Sequence, residues 1–383
     1  MMKSACFWTD PTYRPGNELV GPHATSYLIV GGGIGGLFLA HFLLKAGMKS
    51  IAIVEKDTVG SGSTGYSAGM LMGEIETAPW SMIVRKFGAH KATLYARAQN
   101  DARREVLRLI KKEMILCDHE TQDFVLLKKR SAVGRLWDAD TDFDTENLER
   151  EFESPALFFG ERLGRAVSVN PLKLAHGIAR YLRQRHVHIF EHTPLISVET
   201  SAAKTPRGRI TFQKILYASG TYQTHPRLTN YATTIAVTKP LTTEQLKQVC
   251  PRKKYMFLDE AEHSYHYGKM TRDNRLLIGY GDTRVDSSKV TRQLYRAHLT
   301  SIRGFLKQTL DLDLPIEHAW SAAYSLSKQL LPIVTVSKNA GTIAGAGTQL
   351  ATIASASLLV NTLLRKPDYL GPLFKVDKRR TPR

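Results

Sequence analysis

Three glycines near the start of the chain have the spacing of a turn that binds phosphate. The stretch VGGGIGG follows the apolar run SYLIV and precedes apolar residues that recur at helical intervals up to Gly47. One glycine of such a turn allows the sharp bend, one lets a phosphate approach the backbone, and one lets the helix pack closely on the strand. The helix start adds unpaired N–H groups and the positive end of the helix dipole. The predicted contacts of a bound nucleotide are Gly31, Gly33, Ile34, Gly35 and Gly36.

An acidic residue ends the next predicted strand. Glu55 follows SIAIV, about 24 residues after Gly31, and Lys56 comes directly after it. In this β-α-β pattern the acid accepts hydrogen bonds from ribose hydroxyls. Its negative charge would repel a 2′-phosphate, so the pattern disfavours NADP and leaves NAD or FAD.

A second loop distinguishes NAD from FAD. The stretch VGSGSTGYSAGML, shortly after Glu55, is rich in glycine and serine. A NAD domain does not need this loop, whereas the ribityl chain and ring of FAD reach past the pyrophosphate. The hydroxyl groups predicted to bind phosphate or ribityl oxygens are those of Ser61, Ser63, Thr64 and Ser67. The residues predicted to lie against the flavin ring are Ala68, Gly69 and Met70.

A third Gly-rich stretch, AGAGTQ, precedes the last predicted helix. N–H groups at that helix start would face the pyrimidine side of the flavin, where the reduced cofactor carries negative charge. The predicted contacts are Gly345, Ala346, Gly347, Thr348 and Gln349.

The order and spacing of these segments resemble the FAD-dependent oxidoreductases of the D-amino-acid oxidase, glycine oxidase and sarcosine oxidase family. The resemblance extends over roughly residues 25 to 365 and includes VEKDTVGSGSTGYSAGML, KILYASGTY and WSAAYSLSKQLLPIV. It implies that Leu195 lies near the adenine and that Ala218, Ser219 and Gly220 form a turn beside the cofactor. The segments TRDNRLLIGYGD and EHAWS most resemble oxidases of substituted amines, such as γ-glutamylputrescine oxidase.

Two departures from the family pattern matter. Some members bind flavin covalently through a cysteine in the segment that matches SAAYSLSKQLLP, and this chain has none there, so the resemblance implies non-covalent FAD. Nor do residues 68–72 contain the arginine or histidine that some members place after Ser67. The resemblance therefore does not extend to the family's substrate contacts at these positions.

These motifs require an α/β fold of two domains. We expect a Rossmann-like FAD-binding domain of the ββα type, with an inserted antiparallel-sheet substrate domain. Residues 187–199 are predicted to form one strand and residues 209–220 a pair of strands. The predicted boundaries are an N-terminal extension at 1–25, an FAD-binding domain at 26–80, 150–225 and 325–370, a substrate domain at 81–149 and 226–324, and a basic tail at 371–383.

Candidate catalytic residues lie in HSYHYGKM, within the predicted substrate domain. Alternation along a strand places Tyr265, Tyr267 and Lys269 on one face and Ser264 and His266 on the other. The tyrosines could bind a carboxylate or line the pocket, and the lysine could pair with a carboxylate or help to activate oxygen. His266 is a weaker candidate on the opposite face. Further candidates are Tyr324 and Lys328, whereas Arg272 and Arg275 are interpreted as turn residues.

The overall composition restricts the class of protein and the location in which this chemistry is expected. The 383 residues carry a formal net charge of +18, which favours anions, but the basic residues are not interleaved with aromatic ones as in a single-strand nucleic-acid binder. Three cysteines (Cys6, Cys117 and Cys250) have no metal or disulfide spacing, and no apolar run reaches the length of a membrane span. We therefore predict a cytoplasmic enzyme without a metal, acting on a small molecule rather than on nucleic acid.

The predicted reaction is oxidation of the C–N bond of an amine or N-substituted amino acid, by hydride transfer to flavin N5 and hydrolysis of the imine. The positive charge favours an anionic or carboxylate-bearing amine. The alternatives are an FAD-dependent 2-hydroxy-acid dehydrogenase, a flavoprotein that modifies tRNA, and a flavin-binding subunit without catalysis of its own.

Overall fold

The computed structural model describes residues 6–72, 80–129, 158–222, 225–249, 254–259, 265–286, 290–310 and 312–371. In chain order the helices and strands are β1 (Gly21–Val30), α1 (Ile34–Lys45), β2 (Ile51–Val54), β3 (Met70–Leu71), α2 (Trp80–Phe87), α3 (Ala89–Lys112), β4 (Glu120–Lys129), β5 (Phe158–Ser168), α4 (Pro171–Gln184), β6 (His188–Phe190), β7 (Ser197–Val198), β8 (Ala202–Lys204), β9 (Gly208–Tyr217), β10 (Leu228–Thr238), α5 (Thr243–Val249), β11 (Tyr255–Asp259), β12 (His266–Met270), β13 (Leu276–Val285), α6 (Arg292–Thr309), β14 (Ile316–Ser327), β15 (Ile333–Val336), β16 (Ala340–Ala344) and α7 (Gln349–Leu363). The strands form two sheets.

The first sheet has the order β15–β16–β9–β1–β2–β6, with β8 also beside β9 and β7 beside β8. Its centre is parallel, and β2 is buried along its whole length, as expected for a strand covered on both faces. Val30 pairs with Val54 on one side and Tyr217 on the other. The carboxyl ends of three strands therefore meet at one edge, where the glycine turn, Glu55 and Ala218 follow.

Helices α1, α3 and α7 pack in the same core beside this sheet. Helices α1 and α7 are buried on most of their surface, whereas α3 is amphipathic and buries one face that includes Tyr95 and Val106. The predicted boundaries placed α3 in the substrate domain. Its apolar face instead packs against α7, because that face completes the core of the first sheet.

The second sheet has the order β14–β10–β13–β12–β11–β4–β5–β3 and is antiparallel except where β11 pairs with β4. Helix α6 covers it with an apolar cluster that includes Ile302 and Phe305. Strands β3 and β5 belong to this sheet, although residues 70–71 and 158–168 lie within the boundaries predicted for the FAD-binding domain. The other boundaries remain our proposal, and residues 372–383 of the basic tail lie outside the described residues.

Two strand predictions were wrong. Residues 209–217 form one strand with residue 208, because β9 pairs with β1 over nearly its whole length. Residues 187–199 do not form one strand. After β6 the backbone takes a positive φ of 52° at His192 and continues into Pro194, so the chain leaves the sheet before β7.

Strand β1 begins at Gly21, inside the predicted N-terminal extension. The residues before it are anchored by two buried aromatic side chains, Trp8 and Tyr13. None of the helices in the described part of the chain combines the length and apolarity that a membrane span requires.

Candidate functional site

A cavity of about 850 Å³ lies between the two sheets. It starts at the carboxyl edge of the first sheet and ends among side chains of the second sheet, including Tyr267, Asp282 and Tyr324. Its volume is at the upper end of the range for small-molecule and cofactor sites.

The glycine turn forms one end of the cavity. Gly31 has a φ of +110°, a conformation that suits glycine, and Gly33 precedes the first turn of α1. Gly31, Gly33, Ile34 and Gly35 line the cavity. Gly36, predicted as a cofactor contact, does not line it, because it faces the strand: a Cβ there would overlap the carbonyl oxygen of Gly31.

Glu55 lies beside this turn and supports it. Its Oε2 accepts a hydrogen bond from the Gly32 N–H (2.7 Å), and its Oε1 accepts one from the Asp57 N–H (3.0 Å). Glu55 and Lys56 both line the cavity, as does Leu195. The carboxylate therefore has a structural role that the sequence did not indicate, in addition to the predicted contact with ribose.

All four hydroxyl residues predicted in the second loop line the cavity. Three of them also make hydrogen bonds within the protein. Thr64 Oγ1 accepts from the Ile34 N–H at the start of α1 (3.0 Å), and Ser67 Oγ donates to Thr64 O (2.9 Å). Ser63 Oγ donates to Ala323 O in β14 (2.7 Å), which ties the loop to the second sheet.

The end of that loop, Ala68 to Met70, lines the cavity, and Lys269 lies behind it. Lys269 Nζ donates to Gly69 O (2.8 Å) and Val169 O (2.9 Å) and lies 5.0 Å from the centroid of the Trp8 ring. Burial lowers the pKa of Lys269 to about 7. Lys269 does not line the cavity, because the loop lies between its ammonium group and the cavity. Its contact with substrate or oxygen stays a prediction.

The last Gly-rich stretch closes another wall. Residues 345–349 line the cavity together with Ala218, Ser219 and Gly220. Thr348 Oγ1 accepts from the Ala351 N–H (3.2 Å) and so caps α7, and Gln349 Nε2 donates to Ser67 Oγ (2.6 Å). Gln349 Oε1 is buried and has no hydrogen-bond partner among the described residues. It is an acceptor left open for a donor in the cavity.

These walls fit a flavin dinucleotide. The glycine turn gives the pyrophosphate access to backbone without Cβ atoms, the cavity continues well beyond the turn, and Gln349 offers an open acceptor for a ring N–H. No cysteine is among the described residues that line the cavity.

Three tyrosines line the other end of the cavity. Tyr267 Oη and Thr233 Oγ1 share a hydrogen bond of 2.9 Å, and the Tyr267 ring occupies the space that a Cβ at Gly279 would fill. Tyr265 and Tyr324 both hydrogen-bond to the carboxyl group of Asp282. Burial raises the pKa of Tyr267 and of Tyr324.

Asp282 is the residue that sequence reasoning missed. Strand β13 carries a bulge here: Ala232 pairs with Thr283 and Thr233 pairs with Gly281, which leaves Asp282 without a partner on β10. Its φ of +68° turns it out of the strand pattern, and burial raises the pKa of its carboxyl group. The available signal was the glycine before it, since glycine inside a strand often marks a bulge.

Two other predicted candidates lie elsewhere. His266 hydrogen-bonds Asp259 Oδ2 through Nδ1 (2.6 Å) and Ser301 Oγ through Nε2 (3.2 Å), and its ring stacks on Phe305 of α6. It faces α6 because it alternates with the tyrosines along β12. Lys328 is exposed and does not line the cavity, and Ser264 lies outside the described residues.

The charged groups of the cavity are distributed unevenly. Among the described residues that line it, Glu55, Lys56 and Asp57 lie at the nucleotide end, and Asp282 is the charged residue at the other end. Arg275, interpreted as a turn residue, bonds to Asp273 and Glu317 outside the cavity.

Comparison with known proteins gives a consistent result. Residues 26–359 match the model of the DAO family, described as FAD dependent oxidoreductase. No curated protein sequence matches the chain significantly.

The fold is similar to three solved structures of low sequence identity. L-amino acid deaminase from Proteus myxofaciens matches with a TM-score of 0.71 and 15% identity over 96% of each chain. Glycine oxidase from Geobacillus kaustophilus matches with a TM-score of 0.70 and 17% identity, covering 94% of this chain and 100% of that one. L-alpha-glycerophosphate oxidase from Mycoplasma pneumoniae, solved with FAD bound, matches with a TM-score of 0.66 and 15% identity, covering 94% of this chain and 99% of that one.

Proposed function

This chain belongs to the DAO family of FAD-dependent oxidoreductases, and on that premise we propose that it oxidises the carbon–nitrogen bond of an amine. The family, the enzyme class and the cofactor predicted from the sequence are thereby confirmed. The observation that carries the proposed reaction is one continuous cavity that joins the nucleotide-binding turn to a buried carboxyl group among tyrosines.

When bound, FAD supplies the two-electron acceptor for the hydride on the carbon that bears nitrogen. The residues of this chain position the reactants. The turn at 31–35 and the loops at 61–70 and 345–349 would hold the cofactor along the cavity, and Tyr265, Tyr267 and Tyr324 would surround the substrate. The imine formed from the substrate is hydrolysed by water to a carbonyl compound and either ammonia, from a primary amine, or an amine, from a secondary one.

The charge of the substrate end favours an amine over a 2-hydroxy acid. A 2-hydroxy acid brings a carboxylate, and no lysine or arginine lies at this end among the described lining residues. Asp282 is instead suited to a positively charged nitrogen. The predicted carboxylate of the substrate therefore has no cationic partner side chain among these residues, and we propose a cationic amine.

The fold alone does not separate the two reactions. The structurally similar proteins include ones named for amino acids and one named for a glycerophosphate. The tRNA-modifying and non-catalytic alternatives gain no support from the cavity, which has the dimensions of a small-molecule site and an acid at its inner end.

Anaerobic flavin reduction tests this function. Purified protein reconstituted with FAD is mixed with panels of primary amines, secondary amines, N-substituted amino acids and 2-hydroxy acids, and the flavin absorbance is followed. We expect amines to bleach the flavin and 2-hydroxy acids to leave it oxidised. Reduction by 2-hydroxy acids alone, or by no compound of any panel, would contradict the proposal. Acid precipitation after reconstitution should release the flavin into the supernatant, as expected for non-covalent binding.

A further inference from the structure

Helix α6 packs against the bulge that contains Asp282. His298 of α6 lies under it and is buried, with Nε2 3.0 Å from Thr283 Oγ1 and Nδ1 3.1 Å from Thr234 Oγ1. A Cβ at Gly281 would overlap the His298 ring, so this glycine lets the bulge settle onto the imidazole. Both ring nitrogens are bonded to hydroxyls of the two strands that form the bulge. The position of Asp282 is therefore fixed by packing on its inner side.

The carboxyl group of Asp282 has hydrogen-bond donors but no cationic partner among the described residues. Tyr265 and Tyr324 hydrogen-bond to it, and none of the ion pairs between described residues includes it. The titratable groups around it are Tyr265, Tyr267 and Tyr324 on the cavity side and His298 beneath the bulge. Burial lowers the pKa of His298 and so favours its neutral imidazole, which does not supply the missing charge. A carboxylate in such a place is stabilised when a cation arrives.

We propose that Asp282 binds the ammonium group of the substrate and accepts one of its protons before the carbon–nitrogen bond is oxidised. This inference rests on the proposed function and adds to it the residue that selects a cationic primary or secondary amine. Tyr265 and Tyr324 are positioning residues, because they orient the carboxylate through their hydroxyl groups.

The proton step balances within the site. The N–H bond of the ammonium group breaks and its electron pair stays on nitrogen, while a new O–H bond forms on the Asp282 carboxylate. The neutral amine then has the lone pair that forms the carbon–nitrogen double bond as hydride leaves the adjacent carbon for the bound cofactor. Both tyrosines keep their protons, since each donates a hydrogen bond to the carboxylate.

A binding measurement tests Asp282 without requiring turnover. The probe is tert-butylammonium, which has no hydrogen on the carbon that bears nitrogen, and its control is the neutral isostere tert-butyl alcohol. Binding to the FAD-loaded protein is followed by the change in flavin absorbance at pH 7. We expect Asp282→Asn, which keeps the shape and tolerates positive φ, to weaken the ammonium probe by about 30-fold or more and leave the alcohol unchanged. Equal affinity of wild type and variant for tert-butylammonium would overturn the proposal.

The pH profile separates proton transfer from a structural role. With a substrate amine, Asp282→Asn should slow anaerobic flavin reduction by about 100-fold at pH 7. The variant's rate should then rise about tenfold per pH unit as the free amine becomes available, whereas the wild-type rate levels off once Asp282 is ionised. Tyr324→Phe should move the rising limb of the wild-type profile to higher pH, because the carboxylate loses a donor. Parallel profiles for wild type and Asp282→Asn would refute proton acceptance. If no amine reduces the wild-type flavin, the proposed function fails, and the binding measurement still decides the role of Asp282.

Discussion

Lys269 and Asp282 are two charged residues on strands of the second sheet. The sequence indicated the first as a candidate site residue but not the second. Lys269 was a candidate because it follows Tyr265 and Tyr267 at every second residue. Its ammonium group nevertheless lies behind the loop that ends at Gly69. Strand periodicity predicts the face of a sheet, but it does not predict which loop covers that face. Asp282 escaped notice for the opposite reason, because a bulge interrupts the periodicity.

The lining of the cavity was more predictable at the glycine turn than at the end that contains Asp282. Gly31 and Gly33 line the cavity. Their spacing is typical of a strand, a turn and a helix that follow one another directly, and this local geometry can be recognised in the sequence. Gln349 and Ser67 are 282 residues apart in sequence and share a hydrogen bond of 2.6 Å. Such long-range pairing follows from the packing of α7, which no local pattern records.

Burial of Lys269 gives the stability of the protein a defined pH dependence. Its pKa is about 7 in the folded state, against about 10.5 in the unfolded chain. Between these values the unfolded state binds more protons, so stability rises with pH, by at most about 1.4 kcal/mol per unit. The quantity to compare is the unfolding free energy of wild type minus that of Lys269→Met, both without FAD. We expect this difference to increase between pH 7 and 10 and to stay constant below pH 6. Urea unfolding across this range measures it.

The exposed Lys49 provides the matched control for that series. Lys49→Met removes an ammonium group from the surface and is measured in parallel. If both variants differ from wild type by amounts that change with pH in the same way, the pH dependence does not come from the buried lysine.

At the scale of elements, the contact between α1 and β1 depends on Gly36. A Cβ at this position would overlap the Gly31 carbonyl oxygen, which belongs to backbone and cannot turn aside. Gly36→Ala should therefore push α1 away from the strand, at a cost of about 1–3 kcal/mol, and weaken FAD binding. Chemical unfolding and fluorescence titration with FAD measure the two effects.

Gly304 in α6 is the comparison for that substitution. A Cβ there meets no atom within 4 Å, so Gly304→Ala should keep FAD affinity and stabilise the helix by about 0.5–1 kcal/mol. If Gly36→Ala were as stable as Gly304→Ala and bound FAD equally well, the close helix–strand contact would not be required.

Elements defined by local signals were easier to foresee than those defined by tertiary pairing. Helix α4 begins at Pro171 after Asn170, whose side chain accepts from the N–H groups of Leu172 and Lys173, and this start is visible in the sequence. Strands β3 and β5 pair in the second sheet, although the predicted boundaries assign their residues to the FAD-binding domain, because their partners lie far along the chain. A strand as short as Met70–Leu71 has no recognisable sequence pattern, because it is defined only by its hydrogen bonds to the partner strand.

At the scale of the whole molecule, the net charge of +18 differs from the charge of the residues that line the cavity. The described charged residues that line it are three carboxylates and one ammonium group. The excess of lysine and arginine therefore lies outside this lining. The net charge of the chain alone therefore does not indicate the charge of a substrate at the inner end of the cavity.

The segment before β1 contacts both the loop that follows β2 and the second sheet. Trp8 Nε1 donates to Ser67 O (2.8 Å) in the loop of the first sheet, and the Trp8 ring lies edge-on to Trp320 of β14, with 6.4 Å between ring centroids. Trp320 Nε1 in turn donates to Tyr66 O (2.9 Å). The two indoles thus hold the loop that lines the cofactor cavity against the second sheet.

Trp8→Ala should therefore weaken folding and cofactor binding together. The loss of a buried indole typically costs about 3–5 kcal/mol, and the released loop should bind FAD less tightly. We expect a lower Tm without FAD and a smaller rise of Tm when FAD is added, since ligand stabilisation follows affinity. Thermal unfolding with and without FAD measures both, and Val20→Ala, an exposed change in the same segment, should alter neither. If FAD raises the Tm of Trp8→Ala as much as that of wild type, the N-terminal segment stabilises the fold without shaping the cofactor cavity.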